Sequence, residues 1–305
     1  MGIAGTAAIG LGMTVSGIIP SLIYGSNFPL EFPFMFDFFA GLFYCGLTLT
    51  LKEPERGAQD EGLEELRQRG ETYDYTLTLD GALDFFKRSI NLKLFFFLFL
   101  LIIVNSTLGK LFILFLNVQH GVSTGLATLM MFSIFGIQLV GQIYWGNIAD
   151  RKYREKKDGR LNVMIKILGI GMCFIIPAFL IPFTFNYPAG IILFYIFAIV
   201  LATGSFFIIG THPNTGVIVA DVNFPEVRAT TNSIMLLANT AATAIFIPIF
   251  TILAIYTPLN YSGTYFIFML ICFPSAFLFL LSMRKSIIPN IEKIQEELRR
   301  RVEKD

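Results

Sequence analysis

The chain has 305 residues, of which 54% are hydrophobic and only 15% are charged, and its mean hydropathy is +0.66. A soluble domain of this length needs about a quarter of its residues charged, so the composition excludes an ordinary soluble protein and indicates a membrane protein. The formal net charge of +1 gives no basic excess, and no nucleic-acid partner is expected. The three cysteines lie in apolar runs without metal-site spacing, and no cofactor or metal is expected.

Eight apolar runs are each long enough to cross a bilayer as a helix, which takes about 20 residues. Because lipid offers the backbone no hydrogen-bond partners, runs of this length predict helices, whereas barrel strands would alternate over about ten residues. The sequence therefore predicts an all-α integral membrane protein with eight transmembrane helices. In chain order the predicted spans are residues 3–25, 30–51, 92–118, 122–146, 163–185, 189–210, 231–256 and 262–283.

Lysine and arginine gather in every second connection between these runs. They occur at residues 52–89, 151–160 and 284–305, whereas the short connections near residues 26–29, 119–121, 186–188 and 257–261 contain neither. Cytoplasmic segments carry such a basic excess. The pattern therefore predicts a multi-pass protein of the cell membrane, with the lipid bilayer as a partner and both termini in the cytoplasm.

Two polar segments complete the predicted organisation. Residues 52–90 are predicted to form a cytoplasmic linker that ends in an amphipathic helix from Gly81. Residues 284–305 are predicted to form an amphipathic cytoplasmic tail that lies at the cytoplasmic leaflet. The apolar face of this tail contains Ile287, Ile291, Ile294, Leu298 and Val302.

A charged stretch follows the fourth run, where the sequence from residue 146 reads GNIADRKYREKK. It resembles the loop signature of the major facilitator superfamily, G-x-x-x-D-R-x-G-R-R/K, which joins the second and third helices of each six-helix half. Gly146, Asp150, Arg151 and Arg154 match the signature. Tyr153 stands in place of its glycine, so the turn is expected to be shaped differently. Residues 221–228, DVNFPEVR, resemble the loop before the family's penultimate helix, and residues 52–57, KEPERG, are similar to a turn of its spinster-like members.

This resemblance implies that the eight runs correspond to helices five to twelve of a twelve-helix fold. In that fold two six-helix bundles face each other across a central cavity. Residues 1–51 would then be the last two helices of the N-terminal bundle, and residues 91–283 would be the complete C-terminal six-helix bundle. The helices missing from this plan, or a second copy of the chain, are the expected protein partners.

The resemblance also implies a cytoplasmic gate. In the family, the aspartate carboxylate of the signature meets the positive N-terminal end of a helix in the opposite bundle, which here would lie near residues 2–5. Ordering of the loop alone is the alternative role. The predicted gate residues are Gly146, Asp150, Arg151 and Arg154. The basic residues expected to fix the topology, with no further role, are Lys156, Lys157 and Arg160.

Polar side chains within the spans mark the candidate substrate path, because ionisable groups are costly there. The seventh helix of the family lines the cavity, so Asn105 and Lys110 are predicted substrate contacts; alternatively, Lys110 extends to the outer interface. Gln138 and Asn239 lie nearest mid-span and are predicted cavity residues, with interhelical hydrogen bonding as the alternative. Asp37 is either a proton-coupling carboxylate or a structural residue near the outer end of the second run.

These features favour a secondary transporter that moves a small solute by alternating access. A membrane enzyme is not expected, because the chain lacks HExxH, GxSxG and CxxC motifs. Its two histidines, His120 and His212, are also predicted on opposite sides of the bilayer, about 30 Å apart. A truncated chain or a non-transporting scaffold is the alternative. The 33 phenylalanines favour an amphipathic or apolar solute, although lipid contact explains them equally.

Overall fold

The computed structural model describes residues 32–50, 87–185 and 187–302, and every regular element in these ranges is an α-helix. The first predicted span, the linker up to residue 86 and the predicted gate partner near residues 2–5 lie outside the described residues. The helices are α1 (Phe32–Thr50), α2 (Ser89–His120), α3 (Thr124–Glu155), α4 (Gly159–Ala178), α5 (Pro188–Ile208), α6 (Thr211–Asp221), α7 (Pro225–Tyr256), α8 (Asn260–Met283) and α9 (Ile287–Val302).

Within the described part of the chain, six helical segments are long and apolar enough to cross a membrane. They are α2, α3, α4, the consecutive pair α5–α6, α7 and α8, and they correspond to the last six predicted spans. The prediction of an all-helical membrane protein is thus confirmed for these six. The total of eight spans stays a prediction; in that prediction, α1 is part of the second span.

Several helices run beyond the apolar stretches that predicted them. The fourth apolar run ends at residue 146, whereas α3 continues to Glu155. Similarly, α6 carries the sixth span on to Asp221, and α7 begins at Pro225, where proline suits a first helical turn. Backbone hydrogen bonding does not stop where side chains become polar. The additional turns therefore place polar residues at one end of the bundle.

The two ends of the six-helix bundle differ in charge. One end contains the lysines and arginines of residues 151–160, and we call it the basic end. There α2, α4 and α7 begin, and α3, α6 and α8 terminate. We call the opposite end of the bundle the neutral end. At the basic end, Asn91 and Asn223 exchange side-chain hydrogen bonds of 2.9 and 3.0 Å. At the neutral end, Gln119 Nε2 donates to Ser262 Oγ over 2.8 Å. These bonds join segments that are distant in sequence at each end.

A buried aromatic layer holds α2, α5 and α8 together near the neutral end. The ring of Tyr265, which is fully buried, lies 5.3 Å from that of Phe115 and 4.7 Å from that of Phe179, measured between centroids. Phe197 packs on both phenylalanines. The Tyr265 hydroxyl donates to the Thr107 carbonyl over 3.0 Å, so the phenol brings no unsatisfied polar group into the core.

The tail helix α9 packs on the bundle through the apolar face that the sequence identifies. The buried members of this face are Ile287, Ile291, Ile294 and Leu298, each at most 4% exposed. Ile287 and Ile291 belong to the hydrophobic core of the bundle, whereas the position of the tail at the cytoplasmic leaflet stays a prediction. Arg301 adds an ion pair of 2.9 Å with Glu226 at the start of α7, and its Cζ lies 4.3 Å from the centroid of the Phe224 ring.

Between α5 and α6, the backbone comes close to two other helices at Gly210. A Cβ placed at Gly210 would lie 2.5 Å from Trp145 Cβ on α3 and 2.9 Å from Ile167 Cδ1 on α4. Such distances are shorter than van der Waals contact, and a side chain there would push the helices apart. The start of α6 is therefore fixed against α3 and α4 by the absence of a side chain.

Gly210→Ala should lower the stability of the full chain in detergent micelles by about 1–3 kcal/mol, the usual cost of overpacking. The measurement is thermal unfolding followed by the fluorescence of Trp145, the single tryptophan of the chain. Gly216→Ala on the same helix is the matched control, because a Cβ there would meet no atom within 4 Å. Equal melting temperatures for the two variants would contradict the packing described.

Candidate functional site

Four polar side chains meet between α2, α6 and α7 inside the bundle. Asn105 Nδ2 lies 2.9 Å from His212 Nε2, and Ser106 Oγ lies 2.7 Å from Thr243 Oγ1. Polar groups shielded from water need such partners, and interhelical hydrogen bonds supply them in membrane proteins. Two adjacent residues of α2 thus join it to α6 on one side and to α7 on the other. We call Asn105, Ser106, His212 and Thr243 the polar cluster.

The polar cluster lies well inside the membrane-spanning part of the bundle. At 1.5 Å per residue, Asn105 is about 24 Å along α2 from Ser89, and His212 is about 14 Å along α6 from Asp221. His120 ends α2 at the neutral end, about 22 Å beyond Asn105. The prediction that the two histidines lie on opposite sides of the bilayer is therefore wrong for His212.

The reason for this error lies in the residues that follow the sixth apolar run. The sequence THPNTG from residue 211 is polar and contains proline and glycine, which is typical of a turn. Pro213, however, falls in the first turn of α6, where it costs no hydrogen bond, and the helix continues for two further turns. No apolar periodicity marked this continuation, because Thr211, Asn214 and Thr215, which are buried at helical spacing, are polar.

One side of the polar cluster is open in the part of the chain that the structure describes. A Cβ placed at Gly109, on the next turn of α2, or at Gly216, on the next turn of α6, would meet no atom within 4 Å. Residues four apart share a helix face, so Gly109 lies on the side of Asn105, and Gly216 lies on the side of His212. The cluster therefore borders an open space rather than a filled interface.

The predicted path residues occupy different environments. Asn105 belongs to the polar cluster, and Asn239 lies one turn before the α7 member of the cluster, with an exposed side chain. Lys110 is exposed on α2, and Gln138 is partly buried on α3. Asp37 lies in α1, but its side chain is outside the described residues. Of these five residues the structure thus ties one directly into a hydrogen-bonded site.

A second site lies at the basic end, where Arg160 binds two carboxylates. Its Nη1 donates to Asp221 Oδ2 over 2.9 Å, and its Nη2 and Nε lie 3.1 and 3.2 Å from Asp150 Oδ1. Its Cζ lies 3.8 Å from the centroid of the Tyr153 ring. Arg160 is 13% exposed, Asp221 21% and Asp150 55%. We call Asp150, Tyr153, Arg160 and Asp221 the ionic cluster; it joins α3, α4 and α6.

The role of Arg160 differs from the sequence-based interpretation. The prediction that Arg160 fixes the topology and has no further role is wrong, because its guanidinium links the ends of three helices. Lys156 and Lys157 also have protein partners, Asp158 at 3.3 Å and Gln295 of α9. The partner of Arg160 on α6 is 61 positions away in sequence, so no local pattern could have shown the pair.

The turn between α3 and α4 follows the signature residues directly. Because α3 continues to Glu155, the signature residues lie in its last turns, and Tyr153 supplies the ring that stacks on Arg160. The close approach occurs at Gly159 instead, where a Cβ would lie 2.1 Å from the Lys152 carbonyl oxygen. Gly159 at the start of α4, and not the residue at the signature's glycine position, therefore makes the tightest backbone contact of this turn.

The predicted gate residues surround this turn. Asp150 belongs to the ionic cluster, and Gly146 lies one turn earlier on the same face of α3, where a Cβ would meet no atom within 4 Å. Arg151 and Arg154 are exposed, and no carboxylate among the described residues pairs with them. Only Asp150 of the four is thus held by another helix.

A cavity of about 580 Å³ opens at the neutral end, away from both sites. Gln119, His120 and Ser262 line it together with the loop that leads into α5. His120 Nδ1 lies 2.6 Å from the Phe183 carbonyl oxygen, and the two rings stack with centroids 3.8 Å apart. The polar groups of this cavity bond to one another and to the loop, which gives them a structural role.

Comparison with known proteins identifies one family. The family model described as Major Facilitator Superfamily matches residues 1–211, which is more than half of the chain. No curated protein sequence matches the chain.

Arg160→Met should destabilise the full chain by about 1–3 kcal/mol, because it removes charge-assisted hydrogen bonds to partly buried Asp221 while keeping most of the side-chain volume. Denaturant unfolding in micelles measures the change. Arg154→Met is the matched control on α3, where the side chain is exposed, and it should stay within about 0.5 kcal/mol of the wild type. A similar loss in both variants would contradict the ionic cluster as a structural link.

Proposed function

Because the chain belongs to the major facilitator superfamily, a family of multi-pass membrane transporters, we propose that it moves a small solute across the membrane by alternating access. The observation that carries this proposal is the polar cluster, which borders open space at one face of a bundle of membrane-capable helices. Unpaired polar groups are costly in such surroundings, so side chains that combine mutual hydrogen bonds with an open side suit reversible binding of a solute.

The proposed substrate path follows the open side of the polar cluster. Asn105 would contact the solute directly, with Lys110, Gln138 and Asn239 as further contacts. The second wall of the path would come from the N-terminal bundle, to which residues before α2 belong in this proposal. Gly109 and Gly216 support this geometry, because the absence of a side chain leaves room for a solute between the two walls.

The ionic cluster would serve as the fixed half of a cytoplasmic gate. Asp221 holds Arg160, which in turn holds one oxygen of Asp150 and leaves that carboxylate more than half exposed. An exposed carboxylate in a fixed position can meet the positive N-terminal end of a helix in the opposite bundle. In this proposal the basic end faces the cytoplasm, both termini lie there, and the protein resides in the cell membrane.

The transport proposal is tested with the full chain in proteoliposomes, screened for uptake of sugars, amino acids, carboxylates and amines. For a transported solute, Thr243→Val should reduce uptake about tenfold, the equivalent of about 1.4 kcal/mol, because Ser106 loses its partner. Thr240→Val is the matched control, because Thr240 is exposed and bonds within its own helix to the Leu236 carbonyl. If the protein takes up none of these solutes, or if both variants lose uptake equally, the result contradicts the proposal.

Asp150→Asn should change the uptake rate several-fold, because a charge at a helix end is worth about 0.3–2 kcal/mol and would bias the gate without locking it. Glu155→Gln is the control on the same helix, since Glu155 is exposed and pairs with Lys152 within α3. Initial rates of uptake in proteoliposomes measure both. Unchanged rates in Asp150→Asn would leave the carboxylate with a role in ordering the turn only.

A further inference from the structure

His212 is the member of the polar cluster that can take up a proton near neutral pH. Its imidazole is partly buried, about 14 Å from the basic end of α6, and its Nε2 bonds to Asn105. An ionisable side chain at such depth in a membrane protein is costly and marks a functional site by default. Packing alone would be served equally well by an apolar residue, so a histidine at this position calls for a functional explanation.

The hydrogen bond to Asn105 couples the protonation of His212 to the orientation of the Asn105 side-chain amide. As placed, the Asn105 amide nitrogen donates to Nε2, which requires that Nε2 carry no proton. In the imidazolium both ring nitrogens are donors, so Asn105 must turn its side-chain amide and present Oδ1 instead. Protonation therefore does two things at once: it adds a positive charge, and it frees the amide N–H groups of Asn105 to donate elsewhere.

No described residue supplies a counter-charge for that imidazolium. The helix α6 packs against α2, α3, α4 and α7. The carboxylates on these helices and on α6 itself are Asp150, Glu155, Asp221 and Glu226, and each pairs with an arginine or lysine at the basic end. Lys110 on α2 and Lys166 on α4 are exposed and carry the same sign of charge as a protonated histidine.

We infer that the solute supplies the missing counter-charge, so that the transport path carries a small organic anion together with one proton bound at Nε2 of His212. A carboxylate in the open space beside Gly216 would accept hydrogen bonds from the freed Asn105 amide and neutralise the imidazolium. Proton and anion then bind cooperatively, because each removes the cost of burying the other, and the loaded site is neutral. When the anion leaves, Nε2 returns its proton to water and Asn105 turns back.

This inference rests on the proposed transport function, but its test needs no transport. The full chain is placed in lipid nanodiscs, and ligand binding is followed by the fluorescence of Trp145, whose side chain packs against Gly210, two residues before His212. The probes are benzoate, benzyl alcohol and benzylamine, which share one ring and differ in charge. Each is titrated between about pH 5 and pH 8.

Benzoate should bind more tightly than the alcohol and the amine, and its affinity should weaken up to tenfold for each pH unit as the protonated fraction of His212 falls. In His212→Gln, which keeps an acceptor for Asn105 but cannot titrate, this pH dependence should vanish. In His120→Gln, the matched control at the neutral end, it should persist. The comparison of the three probes in the wild-type protein tests the inference without any variant.

Two results would overturn the proton coupling at His212: benzoate binding that is independent of pH in the wild type, or a pH dependence that survives in His212→Gln. Absence of benzoate binding at about pH 5 would overturn the assignment of an anion. The proposed function fails separately. Proton-linked benzoate binding without uptake in proteoliposomes would support the proton-coupled site but contradict the transport function. Uptake that does not depend on pH would contradict only the proton coupling.

Discussion

The hydrogen bond between Asn105 and His212 is the contact on which the candidate solute site depends. It requires that α6 continue as a helix past the break at Gly210, so that a polar residue after the sixth apolar run reaches the middle of α2. The glycine at residue 210 permits this by allowing α3 and α4 to approach the backbone. With Ser106 bonded to Thr243, the adjacent residue of α2 fixes α7 on the other side. The open side of these contacts is therefore a consequence of how three helices satisfy their polar groups.

The basic end follows a different rule, because its groups remain close to water. Surface ion pairs contribute little to stability on their own. Arg160, however, is mostly buried between two carboxylates and an aromatic ring, and it joins the ends of three helices. The tail helix α9 reinforces the same end through Arg301 and its buried apolar face. A rigid basic end is what a bundle needs if it is to rock as one body against a partner.

Hydropathy predicted the six described membrane-capable helices because the cost of leaving backbone groups unpaired in lipid makes long apolar runs helical. It did not predict their ends, since α3, α6 and α7 continue into polar sequence, and His212 was misplaced for that reason. The pairing of Arg160 with Asp221 also escaped prediction, because it depends on how separate helices pack. Asn105 and Asp150 were singled out through the resemblance to the family, the first because the seventh helix of that family lines its cavity and the second because it matches the loop signature. Tyr153, noted only as a departure from that signature, contacts Arg160.

In the proposed function, the open side of the polar cluster is a solute path with alternating access. Gly216→Cys tests it directly in the full chain with Cys45, Cys173 and Cys272 replaced by serine, using a membrane-impermeant maleimide added to either side of oriented proteoliposomes. We expect the thiol introduced at residue 216 to be modified by reagent from each side, because the proposed path opens to each in turn. Modification only by a lipid-soluble maleimide would show that this face of α6 meets lipid and would contradict the proposed path.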